Sequence, residues 1–187
     1  TPTGLDVTFE APDGARHTDR FDKVLVAVGR RPNSEIPGLE RTAVRVNGRG
    51  FIEVDAQRRT HEPTIYAVGD VAGEPMLAHK ASHEGRVAAE AIAGRKVAFE
   101  PRAIPAVVFT DPELAWCGLT ETEAREQGIS VEVARFPGAA SGRALTLDRP
   151  DGLTKLVVDP ESGRVLGMGV VGTGAGELIA EGVLAVE

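Results

Sequence analysis

The stretch TIYAVGDVAGEPMLAHKASHEG, residues 64–85, holds the residue types best suited to chemistry. An apolar segment stops on Gly69 and Asp70, a short loop follows, and then a helix made largely of small residues. In open α/β sheets, ligands bind in the crevice outside the carboxyl ends of the strands. A carboxylate placed there, Asp70, can accept hydrogen bonds from the hydroxyls of a sugar or ribityl chain. Gly69 removes the side chain that would block a close approach. Met76 and Leu77 offer apolar cover. The helix that follows points its N-terminus at the same crevice, where free N–H groups favour negative charge by about 0.3–1 kcal/mol. Taken alone, a Gly-Asp pair also fits a plain turn or helix cap.

Three other patterns invite a chemical reading and are better explained by structure. GMGVVG, residues 167–172, matches G-x-G-x-x-G, but a dinucleotide fingerprint turns directly from strand into helix. Here TGAG intervenes before the next helical pattern. His79 and His83 stand four apart on a helix, yet zinc needs three or four ligands and no third is evident. The single cysteine, Cys117, excludes an intrachain disulfide. It sits among small apolar residues in ELAWCGLT and reads as a packed thiol. VGTGAGE reads as a flexible entry to the last helix rather than a phosphate loop.

These residues need elements to position them. Leu5, Val7 and Phe9 alternate with polar residues and APDGA supplies a turn, so residues 4–20 form a hairpin. KVLVAVG, Lys23–Gly29, is a continuous apolar run, as expected of a strand buried on both faces. NGRG turns the chain into FIEVD, where Ile52 and Val54 share a face. The helix is expected over residues 77–93, stopped by Gly94. Ala78, Ala81, Ser82, Gly85, Ala88, Ala89 and Ile92 fall near one of its faces, which can approach a sheet or a flat ligand. The first hundred residues are thus expected to form a mostly buried sheet with one long helix.

After Pro101 the pattern changes. AVVFTDPELAWCGLT gives two short strands about TDPE. Thr120 and Glu123 make a capping box for a two-turn helix closed by Gly128. ISVEVARF alternates again, and GLTKLVVD, PESG and RVLGMGVVG form a hairpin. The last helix presents Leu178, Ile179, Gly182, Val183 and Val186 near one face. The expectation for this half is an antiparallel α+β unit. The chain opens on Thr1 and its last helix shows no stop signal, so a piece of a longer protein, cut within that helix, is expected.

Charge bounds the partners. The net charge is -7, and residues 101–187 carry 7 basic against 13 acidic side chains, whereas residues 1–100 are nearly balanced at 14 and 15. Phosphate-backbone binding needs clustered Lys and Arg, so nucleic acid is excluded as a partner. The acidic half suits either solvent or a basic protein surface. No apolar run is long enough to span a bilayer and no secretory signal is visible, so a cytoplasmic location is expected.

The full segment TIYAVGDVAGEPMLAHKASHEGRVAAEAIAG resembles the second FAD-binding segment of the flavin-dependent pyridine-nucleotide disulfide reductases. PMLAHKA is most similar to their dihydrolipoamide-oxidising branch. The likeness extends outward. VLVAVGRRPN resembles the return from the NAD-binding into the FAD-binding domain. VVFTDPELAWCGLTETEAREQG and the residues from ASGRALTLDRP to GELIAEG resemble the interface domain. The resemblance implies an α/β, Rossmann-like FAD-binding portion followed by an α+β interface domain with an antiparallel sheet. The implied divisions are 1–30, 31–100 and 101–187.

It also implies roles. Asp70, beside Gly69, would bind the flavin ribityl chain. Met76, Leu77, Ala78 and His79 would pass along the flavin, and Gly29 and Arg30 would lie near the junction of the nucleotide-binding domains. Residues from about 101 onward would form a homodimer interface and meet a basic peripheral-subunit-binding module of an acyltransferase. FAD and NAD are the implied cofactors. The redox cysteine pair, the first flavin-binding glycine motif and the catalytic histidine and glutamate of the family have no counterpart in these 187 residues. No catalytic residue is therefore assigned, and the chain alone is expected to be inactive. Two alternatives stay open: another member of the family, such as a mercuric reductase, and a non-catalytic dimerisation or docking module.

Overall fold

The computed structural model describes residues 4–187 of the chain. They fall into two units, one ending at Arg31 and one spanning Pro32–Glu187. In the first, strands β1 (Leu5–Glu10) and β2 (Arg16–Phe21) pair antiparallel, from Leu5 opposite Phe21 to Glu10 opposite Arg16. Ala11 and Ala15 close the turn, with the Asp13 carboxylate accepting the Ala15 N–H at 3.0 Å. The hairpin expected for residues 4–20 is present. The strand expected over Lys23–Gly29 is not. That run is irregular and exposed, with Leu25 at 90% and Val28 at 93%. A doubly buried strand needs a neighbour on each side to accept its ladder bonds, and no described strand pairs with it.

The second unit begins without a sheet, contrary to expectation. Between Pro32 and Pro75 regular pairing is limited to two isolated bridges, Val46–Ile52 and Arg59–Tyr66. The turn at Asn47–Gly50 holds as expected, closed by the Asn47 N–H to Phe51 and by Gly50 N–H to Asn47. Phe51 and Ile52 are buried. The apolar run before Asp70 is likewise not a strand; it crosses its neighbours at single points, such as Ala67 N–H to the Arg58 carbonyl at 3.1 Å. Helix α1 then spans Ala78–Ile92 and ends before Gly94, whose φ is +82°.

From Ala106 onward the chain builds a five-stranded antiparallel sheet. Its strands are β3 (Ala106–Val108), β4 (Glu113–Gly118), β5 (Glu132–Pro137), β6 (Leu153–Val158) and β7 (Val165–Gly172), in the order β3-β4-β7-β6-β5. Helix α2 (Glu121–Glu126) follows β4, and α3 (Gly142–Thr146) follows β5. Helix α4 (Ala175–Val186) covers one sheet face, burying Ala175, Ile179, Gly182 and Val186 against Ala115, Cys117 and Val170. Burying a side chain such as Ile179 contributes roughly 1.5–3 kcal/mol. Leu178, expected on this face, is 52% exposed instead. Glu113 of β4 accepts the Gly176 N–H at 3.0 Å, and Glu187 accepts the N–H groups of Arg102 and Ala103, so both ends of α4 are tied down.

Helix α2 starts in the expected capping box. The Thr120 hydroxyl accepts the Glu123 N–H at 3.2 Å, and the Glu123 carboxylate accepts the Thr120 N–H at 2.9 Å. The Thr120 N–H first, and second its hydroxyl, which also donates to the Glu123 carboxylate at 2.8 Å, hold the Glu123 carboxyl below the usual range. The stabilisation is therefore present above the ordinary glutamate value of about 4.3 and is lost as pH falls through the lowered one. Thr120→Ala is expected to cost about 1 kcal/mol at neutral pH, read as a shift in the urea midpoint. That difference between the two proteins should shrink on acidification.

Candidate functional site

Asp70 lies in a single 3-10 turn, Gly69–Val71, rather than at the end of a strand. Val68 before it is extended, and Gly69 takes φ +77°, a left-handed value that favours glycine. A Cβ on Gly69 would lie 3.0 Å from the Ala81 Cβ, so the turn presses on the second turn of α1. The Ile52 N–H donates to the Val71 carbonyl at 2.8 Å and fixes the far side. Asp70 itself is half-buried, as are Met76 and Leu77.

Helix α1 has Leu77 at its N-cap, with no side-chain cap and no acidic residue in its first turn. Its leading N–H groups therefore meet no capping carboxylate from the helix itself, and this end suits an electron-rich group. The donor set fits a polyol-bearing, negatively charged cofactor: an acid for hydroxyls on the turn, and an uncapped helix end beside it. Ala78 and His79 are exposed at that end. The His79 Nε2–H donates to the Pro105 carbonyl at 2.7 Å, which ties the first turn of α1 to the chain entering β3.

Gly69, Asp70, Met76, Leu77, Ala78 and His79 are thus gathered on one loop and one helix end. Gly29 and Arg30 belong to the other unit, where both are exposed and Gly29 has φ +128°. The remaining patterns resolve as structure. GMGVVG lies in β7, with α4 starting only at Ala175. No group of three or more metal-binding side chains occurs among the described residues. Cys117 is 2% exposed, and burial pushes its thiol up against a smaller opposing effect from the Met168 backbone. A thiol kept protonated is not a nucleophile.

The sequence reading of α1 missed its buried side. Of the expected small-residue face Ala88 is buried and Ala81 meets the Gly69 turn, but Ala78, Ser82, Ala89 and Ile92 are exposed, Ile92 at 65%; the buried stripe is Lys80, Glu84, Val87, Ala88 and Ala91. Glu84 is wholly buried. One carboxylate oxygen accepts the Gly69 N–H at 2.6 Å; the other meets Lys80 Nζ and Arg58 Nη1, each at 2.9 Å. Lys80 Nζ also donates to the Gly73 carbonyl at 3.0 Å and the Gly69 carbonyl at 3.4 Å. The Arg58 guanidinium stacks over Phe99 at 4.9 Å. The i,i+4 spacing of Lys80 and Glu84 was the available signal, but such pairs are usually exposed.

Comparison with known proteins extends this geometry. A sequence profile for pyridine nucleotide-disulphide oxidoreductases matches residues 3–85, and one for the dimerisation domain of the same proteins matches residues 104–187. Curated relatives include the dihydrolipoyl dehydrogenase of Thermus scotoductus, 54% identical over 98% of this chain and 40% of that protein. The Vibrio cholerae enzyme of the same name is 51% identical over 98% of this chain and 39% of its own length. Among solved structures, LpdA from Mycobacterium tuberculosis superposes with a TM-score of 0.87 at 31% identity, covering 100% of this chain and 40% of that one. The HOCl-induced flavoprotein disulfide reductase RclA from Escherichia coli gives 0.82 at 30% identity, covering 91% and 40%. The chain spans about two fifths of the length of the curated relatives it matches.

Proposed function

We propose that this chain, which belongs to the pyridine nucleotide-disulphide oxidoreductases, supplies the second flavin-binding segment and the dimer-forming domain of a dihydrolipoamide dehydrogenase. The observation that carries the reading is the half-buried Asp70 on a glycine turn packed against the uncapped end of α1. Bound FAD would supply the electron relay between a dihydrolipoyl thiol pair and NAD. The residues of this chain bind and orient. Asp70 accepts the hydroxyls of the ribityl chain, Gly69 lets the backbone come close, and Met76, Leu77, Ala78 and His79 line the path toward the helix end. The N–H groups there favour charge that builds on reduction. Gly29 and Arg30 are assigned to the junction with the NAD-binding region.

The thiol exchange is not assigned to this chain, whose single cysteine is buried. Residues from about 101 onward pair with a second copy, and the site is completed in that homodimer. The acidic surplus of residues 101–187 supports docking on a basic peripheral-subunit-binding module of an acyltransferase. A cytoplasmic setting follows from that role; no helix of the described residues is long and apolar enough to cross a membrane.

Asp70→Asn tests the flavin assignment in the protein at its natural length. Losing a hydrogen bond to a charged group costs about 1.5–3 kcal/mol, so FAD affinity is expected to fall by roughly ten-fold or more. Unchanged affinity by flavin-fluorescence titration overturns the assignment. The same acidic surplus also supports a second reading, a non-catalytic dimerisation and docking module. A colourless dimer after incubation of the natural-length protein with FAD favours it over the first.

A further inference from the structure

We infer that Lys80 and Glu84 are positioning residues for cofactor binding, holding Asp70 in place by bonding the backbone of its turn from both sides. The inference rests on the flavin reading of Asp70 and adds two residues to it. A lysine and a glutamate one helical turn apart would ordinarily lie in solvent. Here the Lys80 side chain is 3% exposed and that of Glu84 is fully buried. Burying such a pair is costly unless every charge is paired and bonded.

Their bonds converge on one short segment. Glu84 takes the N–H of Gly69 at 2.6 Å, and Lys80 donates to the carbonyls of Gly69 and Gly73. Asp70 is therefore bracketed. The residue before it is held at both its N–H and its carbonyl, and the residue three places after it at its carbonyl. Ala72 N–H to Gly69 and Ile52 N–H to Val71 add main-chain bonds to the same turn. Glycines at 69 and 73, with φ of +77° and +141°, give this segment little stiffness of its own. The ionic pair thus supplies the rigidity that a binding carboxylate needs, since small displacements of a positioned group are expensive.

Arg58 provides the internal control. Its guanidinium bonds Glu84 and stacks on Phe99 rather than on the turn. Loss of Arg58 should weaken the fold without loosening Asp70 directly.

The test uses Lys80→Met, Glu84→Gln and Arg58→Met in the natural-length protein. Three quantities are read: the dissociation constant for FAD, the visible circular dichroism of the bound flavin, and the thermal midpoint of the flavin-free form. Lys80→Met and Glu84→Gln are expected to weaken FAD binding about ten-fold or more and to alter the flavin dichroism. Arg58→Met is expected to stay within about two-fold of the parent at a comparable loss of midpoint. Affinity that simply follows the midpoint through all three variants makes the pair a stability element and overturns the inference. Asp70→Asn run alongside separates the two claims. If it weakens binding while Lys80→Met and Glu84→Gln bind as the parent does, the flavin reading stands and the inference falls. If Asp70→Asn itself binds normally, the flavin reading falls first.

Discussion

Replacing Glu84 by alanine is expected to cost about 3–5 kcal/mol. The carboxylate is fully buried and neutralises Lys80, at 3% side-chain exposure, and Arg58, at 14%. Its removal leaves two cations facing each other without their shared counter-charge. It also orphans the Gly69 N–H. Urea denaturation of the chain measures the cost directly. The double variant Lys80→Met/Glu84→Leu should recover much of the loss, because apolar side chains of similar size can replace a buried pair at little cost. Arg58, the least buried of the three, keeps a route to solvent. A single Glu84→Ala loss under about 1 kcal/mol would mean that the cluster is solvated rather than buried.

Gly167→Ala is expected to damage the antiparallel sheet by about 3 kcal/mol or more. A Cβ at residue 167 would meet the Leu119 backbone, with Leu119 N only 2.8 Å away. That N–H is already committed to the Leu166 carbonyl, so the obstruction is main chain and cannot rotate aside. Gly182 gives the contrast. A Cβ there would lie 2.6 Å from the Met168 Sδ and 2.9 Å from the Met168 Cβ, side-chain atoms rather than main chain. Alanine in a helix interior also gains roughly 1 kcal/mol over glycine. Gly182→Ala should therefore be milder than Gly167→Ala, and equal losses in thermal or urea unfolding would contradict the packing described for β7.

The antiparallel half was legible because each of its signals is local. Alternation in EVARF, the capping box of Thr120 and Glu123, and the PESG turn each specify their own geometry. The strands they make find partners within the same hundred residues. The first half misled for the opposite reason. VLVAVG and IYAVG carry the composition of buried strands, but composition does not supply the neighbours that complete a ladder, and Leu25 and Val28 stay exposed.

The site shows the same division. The turn at Gly69 and Asp70 and the helix that follows it were legible from residue type and order. The side of α1 that packs was not. A small-residue stripe looks like a packing face, yet the turn at Gly69 demanded bonding partners for its backbone, and Lys80 and Glu84 supply bonds to it from the helix. Backbone groups needing partners are invisible to a hydropathy pattern. A buried i,i+4 ion pair is the trace they leave.

The proposed role of Asp70 is to meet the polyol chain of a bound flavin beside the N-terminus of α1. A structure of the natural-length protein soaked or purified with FAD tests this most directly. An Asp70 carboxylate oxygen is expected within about 2.5–3.0 Å of a ribityl hydroxyl oxygen. A flavin bound with Asp70 turned away, its carboxylate engaged only by neighbouring main chain or by water, would contradict it.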